Sequence, residues 1–561
     1  MTTEPVRVTA TRSKRRKAAA AVAAVLLAST GVLTGQKASE MAADPRGEKD
    51  CPPVSVAAQG GAGAETSSPP VIGAGSAVAT AGVPPAASLT GAPAQLPWKQ
   101  KGGALNDASC LNRTSVYGVV QVTTPDDIKR ALDFARSSGL KVSIAGVRHS
   151  MGGHAFARNA VVLDMTRFNA IVLDEGRKVV TVQSGATWHD IQNVLHPRLA
   201  VKSMQSTDIF TVGGSISVNA HGMDHQAGSV RSSIRSLRVM LPDGSVQRAS
   251  PTENAELFDL VVGGYGLFGI VLDADLDVVN NEVYTAEQQL IDYRAFPELF
   301  ATRLSQDRDL GLFYGHLSTS SSSLLEEMIL YQYRRAGPPR DDLPPLGEVS
   351  SIKLRRLLLN FSKLGELPMR LKWWAEKNVE PRLETCTVPR TQAMGQGEAC
   401  FVSRNDPMHD SVKYLKNDLQ RDTDILHEYF IPRDRFVPFV DGLREIVRRN
   451  GTILLNASVR IVHREENVLT YAPNDAFAVV LYINQATTAE ANQAMAQTTR
   501  ELIDLSLAQG GTFFLPYQLY YTPEQLQRAY PQLGAFFEAK RRYDPGLLLT
   551  NTFYERYGPR P

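Results

Sequence analysis

The chain has 561 residues, of which 43% are hydrophobic and 21% are charged. This length allows two or three folded domains, and the composition is that of a soluble globular protein, not of a disordered or polytopic membrane protein. The formal net charge is +2, and residues 1–43 hold seven Lys/Arg against two Asp/Glu. The rest of the chain is therefore nearly neutral, which excludes the broad basic surface of a nucleic-acid-binding protein.

The N-terminal segment has the pattern of an export signal. Five basic residues between Arg12 and Lys17 precede an uncharged run, Ala18–Leu33, that is rich in Ala, Val and Leu. The segment 1–43 is therefore predicted to be a signal peptide or a membrane anchor, and both alternatives remain open because no clear cleavage site follows. The protein is expected to be exported and either secreted or membrane-anchored, with membrane association through this N-terminal segment.

Residues 44–107 are crowded with Ala, Gly, Pro and Ser and show no helical or strand periodicity. Such a segment buries too little apolar surface to offset its chain entropy, so it is predicted to be a disordered linker. The four cysteines allow two interpretations: Cys386 and Cys400 close a short loop in an oxidising compartment, or all four thiols are unpaired. No Cys/His spacing resembles a zinc site, and no metal is predicted.

The folded body begins with a predicted β-α-β unit. A strand near Tyr117 is followed by an amphipathic helix with Asp126 as its expected N-cap and Gly139 beyond its end, and a second strand follows. That strand leads into the loop Gly146–His154, which contains three glycines. Loops of this composition point their backbone N–H groups into one concavity, which is how proteins bind a pyrophosphate.

Further motifs follow in a fixed order along the chain. They are T-V-G-G-S from Thr211, N-A-H-G from Asn219, a strand and turn ending in P-D-G-S, and the run Leu260–Val271 with four glycines. Together with the first loop, this order resembles the FAD-binding domain of the vanillyl-alcohol-oxidase/PCMH family. The C-terminal K-R-R-Y-D-P from Lys540, followed by Asn551, resembles the family's closing segment.

The resemblance implies an α+β fold: a PCMH-type, two-subdomain FAD-binding domain at 108–281, followed by an α+β substrate (cap) domain at 282–500. Residues 501–561 would form a C-terminal segment that completes the flavin site. The cofactor would be FAD, and the expected cofactor-binding residues are Gly146, Val147, Arg148, His149, Ser150, Met151, Thr211, Gly213, Gly214, Ser217, Gly269, Ile270 and Asn551.

Members of this family often carry a histidine in the first loop that bonds covalently to the flavin. His149-Ser150 lies 15 residues before Asp164, the spacing associated with cytokinin-dehydrogenase-like members, so the resemblance makes His149 the predicted attachment site. His154 is the competing candidate. Arg148 replaces the glycine that usually precedes this histidine, which leaves the local loop geometry open.

Candidate catalytic residues follow from the same resemblance. Relatives that oxidise polyols and aldonolactones have a Glu-x-Arg pair on a substrate-domain strand, where this chain has Ser458-Val459-Arg460. Arg460 would orient a substrate oxygen and stabilise developing charge. Tyr517 and Gln518 replace a lysine-bearing run and would hydrogen-bond a polar substrate or pack. Asp208 resembles the acidic base of cytokinin dehydrogenases, although it lies two residues closer to T-V-G-G than expected.

Two segments favour structural interpretations. Glu428, in the H-E-Y-F-I-P run, resembles part of a strand that opens a β-α unit. The basic, aromatic stretch 353–377 is expected to pack on the substrate domain as two helices broken at Gly365 and Pro368, and the alternative is contact with an anionic membrane surface or a substrate entrance.

The resemblance therefore predicts an FAD-dependent oxidoreductase that oxidises a C–OH group of a sugar, polyol or aldonolactone-like substrate. Its partners would be this small molecule and oxygen or another electron acceptor, with no nucleic acid. Two alternatives remain: an amine-oxidising enzyme like cytokinin dehydrogenases, and a non-catalytic cell-surface binding protein that retains the flavin fold.

Overall fold

A computed structural model describes residues 96–337, 341–343, 345–346, 352–379, 401–409, 417, 419 and 421–559. The predicted export signal and most of the predicted linker lie outside these residues. Within the described ranges, no helix is both long enough and apolar enough to cross a membrane.

The first sheet contains β1 (Trp98–Lys101), β4 (Gly118–Gln121), β5 (Val142–Ala145) and β6 (Val161–Asp164) in the order β1-β4-β6-β5. β4 and β5 are both parallel to β6, and β1 is antiparallel to β4. Helix α1 (Pro125–Ser137) connects β4 to β5 and completes the predicted β-α-β unit. A small hairpin of β2 (Ala104–Leu105) and β3 (Thr114–Ser115) precedes it.

The second sheet is antiparallel and follows directly in the chain. Its strands run in the order β11-β10-β12-β8-β7, with β9 paired to β12. Their bounds are β7 (Ile171–Asp174), β8 (Val179–Gln183), β9 (Leu199–Val201), β10 (Ile234–Met240), β11 (Val246–Ala249) and β12 (Ile270–Asn280). The helices of this part are α2 (Trp188–Leu195), α3 (Val212–Val218) and α4 (Ala255–Val261).

The third sheet has eight antiparallel strands in the order β16-β13-β15-β14-β18-β19-β17-β20. Their bounds are β13 (Val283–Asp292), β14 (Leu310–Leu317), β15 (Glu327–Gly337), β16 (Phe401–Ser403), β17 (Asp422–Pro432), β18 (Ile453–Val462), β19 (Ala476–Ala486) and β20 (Thr512–Phe513). β19 is buried along almost its whole length, as expected for an apolar strand covered on both faces.

Helices cover one face of this third sheet. The remaining helices are α5 (Phe296–Thr302), α6 (Ile352–Ser362), α7 (Glu366–Asn378), α8 (Asn405–His409), α9 (Phe436–Arg449), α10 (Ala489–Ala508), α11 (Pro523–Ala529), α12 (Leu533–Tyr543) and α13 (Thr552–Tyr557). The ring of Phe477 on β19 packs against Phe296 of α5 and Phe436 of α9, at centroid distances of 4.8 and 5.3 Å. The opposite face, which carries even-numbered residues of β17 and β18, packs in part on α6 and α7, where Leu359, Met369, Leu426 and Tyr482 form one cluster.

The C-terminal segment returns to the first sheet. The amide of Val142 on β5 donates to the Leu548 carbonyl at 2.8 Å, and the amide of Thr550 donates back to the Val142 carbonyl at 2.8 Å. The buried ammonium of Lys540 donates to the Leu267 carbonyl at 2.7 Å and pairs with Asp544 at 2.6 Å. These contacts tie the end of the chain to the loop before β12.

Three local predictions are wrong. The N-cap of α1 is Thr124, not Asp126, because the Thr124 hydroxyl accepts from the Asp127 amide and Asp127 accepts from the Thr124 amide. The predicted linker ends too late, because β1 and β2 lie within 44–107. Pro368 lies inside the first turn of α7, where proline is tolerated, so Gly365 alone marks the predicted break.

The interpretation of four unpaired thiols is also wrong, because Cys110 is disulfide-bonded. Its partner is outside the described residues. The predicted Cys386–Cys400 pair also lies outside the described residues.

Candidate active site

The loop that follows β5 keeps the geometry expected of a glycine-rich turn. Arg148 has a φ of 60°, in the left-handed region where glycine is the usual residue. Its carbonyl accepts from the amide of Ala108 at 3.0 Å, which helps to fix this strained conformation. Arg148 therefore adopts the left-handed backbone conformation that a glycine would adopt at this position.

The same loop has unused backbone donors. In the described part of the chain, none of the amide N–H groups from Gly146 to Gly152 donates to a protein acceptor. Buried backbone donors are almost always paired, so a run of free amides marks a site for an external acceptor. An anionic diphosphate satisfies such donors, and the loop therefore fits the pyrophosphate of FAD.

Glycines let two neighbouring loops close around this site. A Cβ on Gly146 would lie 2.0 Å from Thr211 Oγ1, and a Cβ on Gly213 would lie 2.7 Å from Ser184 Cβ. Gly214 and Ser217 belong to the same helix, α3, and the Ser217 hydroxyl donates to the Gly213 carbonyl at 2.7 Å. The T-V-G-G motif thus packs directly against the first loop.

A buried carboxylate anchors the first loop from behind. Asp107 accepts from the Gly153 amide at 2.8 Å and from Asn112 Nδ2 at 2.9 Å, and Asn112 also donates to the Met151 carbonyl at 2.6 Å. Burial raises the pKa of Asp107 to about 6, and hydrogen bonds from Ser109, Gly153 and Asn112 oppose that shift. Asp107 was assigned to the linker by the sequence analysis and is instead part of the site.

The two candidate histidines have different surroundings. The half-buried ring of His149 contacts the Phe210 ring at 4.6 Å, and burial lowers the pKa of this imidazole to about 4. His154 is only 6% exposed and lies between the rings of Tyr265 and Phe553, at 5.6 and 6.0 Å. His149 is therefore the accessible, uncharged imidazole of the loop, and His154 is packed among aromatic side chains.

The remaining predicted cofactor residues lie in the first loop, at the start of β12 and in the closing segment. Met151 Sδ accepts from the Leu426 amide at 3.3 Å, and Val147 and Ser150 are half-buried beside it. Gly269 lies where a Cβ would be 2.4 Å from Val239 Cγ1, and Ile270 is fully buried. Asn551 caps α13 and donates to the Tyr265 carbonyl at 2.8 Å, so its side chain holds the closing segment in place.

The first loop contacts two parts of the third sheet, β17 and the loop that follows β20. A Cβ on Gly152 would lie 2.3 Å from the Tyr517 carbonyl oxygen, so the loop after β20 touches the first loop at a position that requires glycine. The Met151 contact with Leu426 joins the same loop to β17. The backbone of Tyr517 therefore lies beside the predicted flavin loop, Gln518 follows it in the chain, and Arg460 is close enough to Tyr517 to influence its pKa.

Arg460 and Gln518 both have unused buried donors. Arg460 Nε and Gln518 Nε2 have no hydrogen-bond partner among the described residues. Gln518 is 4% exposed, and Arg460 is half-buried. Unpaired buried donors are costly, and here they are available to the oxygens of a substrate.

A buried acid-base cluster occupies the same face and was missed by the sequence analysis. His221 Nε2 lies 2.5 Å from Glu428 Oε1, and both side chains are 3% exposed. The Tyr517 hydroxyl donates to Glu428 Oε2 at 3.2 Å. Burial raises the pKa of Tyr517 well above its usual value, the Glu428 charge raises it further, and Arg460 opposes both.

The strand register explains where this carboxylate lies. Glu428 on β17 is paired with Val480 on β19, and Val480 is paired on its other side with Ser458 on β18. Directly opposite residues of antiparallel strands share one face, so Glu428 lies level with Ser458, two strands or about 10 Å away. The interpretation of Glu428 as a strand residue is correct for its backbone, but its side chain reaches the site.

Asp208 has partners that do not suit a base. Its Oδ2 lies 2.9 Å from His189 Nδ1 and 3.0 Å from His409 Nδ1. Burial alone would raise the pKa of Asp208, but the hydrogen bonds and charges of the two histidines hold it below its usual value. The contacts that Asp208 makes, all within the protein, give no support to its predicted role as a catalytic base.

The basic stretch 353–377 packs on the third sheet through α6 and α7. Buried Lys363 pairs with Asp424 at 2.6 Å, Lys377 pairs with Glu327 at 2.8 Å, and Trp373 lies 5.5 Å from the ring of His316. Several of its charges are therefore used internally, as the packing interpretation predicts. Trp374 and Leu367 remain about half exposed.

Comparison with known proteins agrees with this geometry. Residues 116–250 match the profile of a protein family described as an FAD binding domain. This range contains the first loop, T-V-G-G and N-A-H-G. The chain thus carries the fold and the donors of an FAD-binding protein.

Several curated proteins are similar to part of the chain. They include decaprenylphosphoryl-beta-D-ribose oxidase of Mycolicibacterium smegmatis (32% identical over 30% of this chain and 38% of that protein), cytokinin dehydrogenase 2 of Arabidopsis thaliana (28%, over 38% and 43%) and L-gulonolactone oxidase of Mus musculus (28%, over 28% and 36%). The chain therefore matches about two fifths of the length of these relatives. These partial matches and the matched FAD binding domain agree with the resemblance to the vanillyl-alcohol-oxidase/PCMH family.

Proposed function

We propose that the protein oxidises a C–OH group of a sugar, polyol or aldonolactone-like substrate in an FAD-dependent reaction. The observation that carries this proposal is the buried cluster of Glu428, His221 and Tyr517, which lies beside the unpaired donors of Arg460 and Gln518. Two of the similar proteins are named as oxidases of a ribose derivative and of a lactone.

In this proposal, Glu428 and Arg460 have different roles in the oxidation of an alcohol. FAD, when bound, accepts the hydride that leaves the substrate carbon. The hydroxyl proton is taken up by Glu428, whose carboxylate oxygens keep free lone pairs beside their contacts with His221 and Tyr517. Arg460 orients the substrate oxygen, and the product is the corresponding carbonyl compound.

Glu428 takes the place of the acid that is missing from Ser458-Val459-Arg460. It reaches the same face from β17, at the same level of the sheet. The amine-oxidising alternative depends on Asp208 as the base. Because Asp208 is already bonded to His189 and His409, we favour oxidation of an alcohol over oxidation of an amine.

FAD attachment is the second part of the proposal. We infer that His149 forms the covalent bond to the flavin, because its neutral imidazole is the nucleophilic form and its ring is accessible in the loop. Oxygen or another acceptor would then reoxidise the flavin. The export of the protein, by secretion or membrane anchoring, remains a proposal that rests on residues 1–43.

The test is anaerobic bleaching of the flavin absorbance by sugars, polyols, aldonolactones and amines. We expect a polyhydroxylated substrate to bleach the flavin, and Glu428→Gln to slow bleaching by about 10²–10⁴-fold, the usual contribution of a general base. Glu287→Gln, on the exposed edge of the same sheet, is the control and should behave as wild type. Bleaching by amines alone would favour the amine-oxidising alternative, and no bleaching by any compound would favour the binding protein.

A further inference from the structure

Three side chains from distant parts of the chain meet outside the proposed reaction site. They are His189 in the first turn of α2, Asp208 in the loop before T-V-G-G, and His409 at the end of α8. Each offers one ligand atom, and these atoms all lie within 4.8 Å of one another. The two imidazole rings are stacked at 4.8 Å, with both Nδ1 atoms near the same carboxylate oxygen.

The buried carboxylate of Asp208 needs partners for its charge. Its side chain is 2% exposed, and among the described residues its ion-pair partners are the two imidazoles, with no Lys or Arg. A buried carboxylate is costly unless a cation or several donors compensate it. A divalent cation shared by the carboxylate and both imidazoles would balance this charge.

The surrounding polar groups hold these side chains in place. Gln192, one turn after His189, has its Oε1 3.3 Å from His409 Nδ1. Gln192 Nε2 donates to the Asn405 carbonyl at 3.3 Å, and Asn405 Nδ2 donates to the Leu199 carbonyl at 3.0 Å. Gln192 and Asn405 are fully buried, so these bonds fix the segment that carries His409, and a bound ion would replace the contact of Gln192 Oε1 with His409 Nδ1.

We propose that His189, Asp208 and His409 bind a first-row divalent transition cation, with Zn²⁺ as the first candidate. Two imidazoles and one carboxylate are a ligand set that suits zinc. Ligand atoms at the usual bond lengths around tetrahedral zinc are about 3.3 Å apart. The two distances from Asp208 Oδ2, 2.9 and 3.0 Å, would widen by a few tenths of an ångström, and all three ligand atoms already lie within 4.8 Å of one another.

The ion would link two different parts of the fold. His189 and Asp208 belong to the FAD-binding part of the chain, whereas His409 belongs to the segment 401–409 that pairs with β13 of the third sheet. His189 is 31% exposed, which leaves a path for the ion and room for a water as the fourth ligand. The ion would therefore fasten the third sheet to the loop that carries Phe210, the ring beside His149.

The test uses the full chain with its flavin and measures metal content directly. Protein treated with a chelator is dialysed against Zn²⁺ or Co²⁺ and then against metal-free buffer, and the metal is measured by mass spectrometry. We expect one equivalent of metal per chain, visible absorption bands of low-symmetry Co²⁺, and a higher Tm with Zn²⁺. These measurements do not depend on turnover, so they test metal binding independently of the proposed oxidation.

Variants assign the metal to these residues. Asp208→Asn and His409→Gln should lose the bound metal and the Co²⁺ bands, whereas His463→Gln, a half-exposed histidine elsewhere, should keep both. Wild-type protein that retains no metal would overturn the proposal and leave a hydrogen-bonded cluster. Metal retained by the folded Asp208→Asn variant, with its flavin spectrum unchanged, would also overturn it.

Discussion

The two halves of the active site are built from different groups. The flavin half consists of backbone: free amides from Gly146 to Gly152, and glycines that let neighbouring loops touch. The substrate half consists of side chains, with a buried carboxylate held by an imidazole and a phenol. A backbone site depends on a few consecutive residues, whereas the side-chain site depends on residues such as His221 and Glu428 that are 207 positions apart.

This difference decides which substitutions each half tolerates. In the flavin half, added volume is harmful because backbone atoms already lie at the closest approach. In the substrate half, removed polar groups are harmful because they leave buried partners unpaired. The two kinds of damage can be measured separately, as flavin binding and as turnover.

The largest effect is expected at His149. The denatured wild-type band should fluoresce under ultraviolet light, because a covalently attached flavin survives loss of the fold. His149→Ala should abolish this fluorescence, and His154→Ala should keep it, since His154 is packed between Tyr265 and Phe553. A dark wild-type band, or a dark His154→Ala band, would show that the attachment site is assigned wrongly.

Arg460→Ala tests the substrate half without touching the flavin. We expect kcat/KM to fall by about 10²-fold, the usual loss for one preorganised electrostatic contact, with the flavin content unchanged. Arg464→Ala, four residues on and exposed, is the control. If Arg460→Ala lowers the flavin content or Tm instead, Arg460 is structural.

A deletion tests how far the flavin half extends toward the N-terminus. A chain beginning at residue 106 loses β1, including Trp98, which packs against Tyr117 and Phe134 at 6.0 and 5.6 Å. We expect this variant to lose about 1.5–3 kcal/mol of unfolding free energy, the usual gain from burying one large apolar side chain. A chain beginning at residue 95 keeps β1 and is the reference for this loss, and equal stability of the two chains would contradict a structural role for β1.

Gly152→Ala probes the contact between the two halves. The new Cβ would lie 2.3 Å from the Tyr517 carbonyl, so we expect a loss of about 1–3 kcal/mol and weaker flavin retention. Gly546→Ala is the control, because no atom lies within 4 Å of its added Cβ. Denaturant unfolding and flavin content check both, and a wild-type result for Gly152→Ala would mean that the two loops separate easily.

The smallest expected effect is the pH dependence of flavin attachment. Burial lowers the pKa of His149 to about 4, so its imidazole stays neutral and nucleophilic from pH 7.5 to pH 5.5. The rate of attachment after adding FAD to apoprotein should therefore be nearly constant over this range. An imidazole with its ordinary pKa of 6.5 would slow about tenfold by pH 5.5, which the same measurement would detect.

The sequence predicted the parts of the molecule that are local. The first β-α-β unit, the glycine-rich loop and the T-V-G-G motif follow from adjacent residues, and the match of residues 116–250 to an FAD binding domain agrees with them. Local patterns were less reliable at the ends of helices. Thr124 rather than Asp126 caps α1, because Thr124 is extended before Pro125 and its hydroxyl accepts from the Asp127 amide.

Only the tertiary structure decided what the long-range side chains do. Glu428 and Asp208 are both acidic residues in plausible motifs, and their spacing gives no indication that one meets His221 and Tyr517 while the other meets His189 and His409. The physical reason is that a strand pattern fixes which face a side chain occupies, but the register of β17, β19 and β18 and the return of segment 401–409 fix its neighbours. Sequence alone therefore determined the backbone that fits the flavin, and packing determined which acid joins the proposed substrate site.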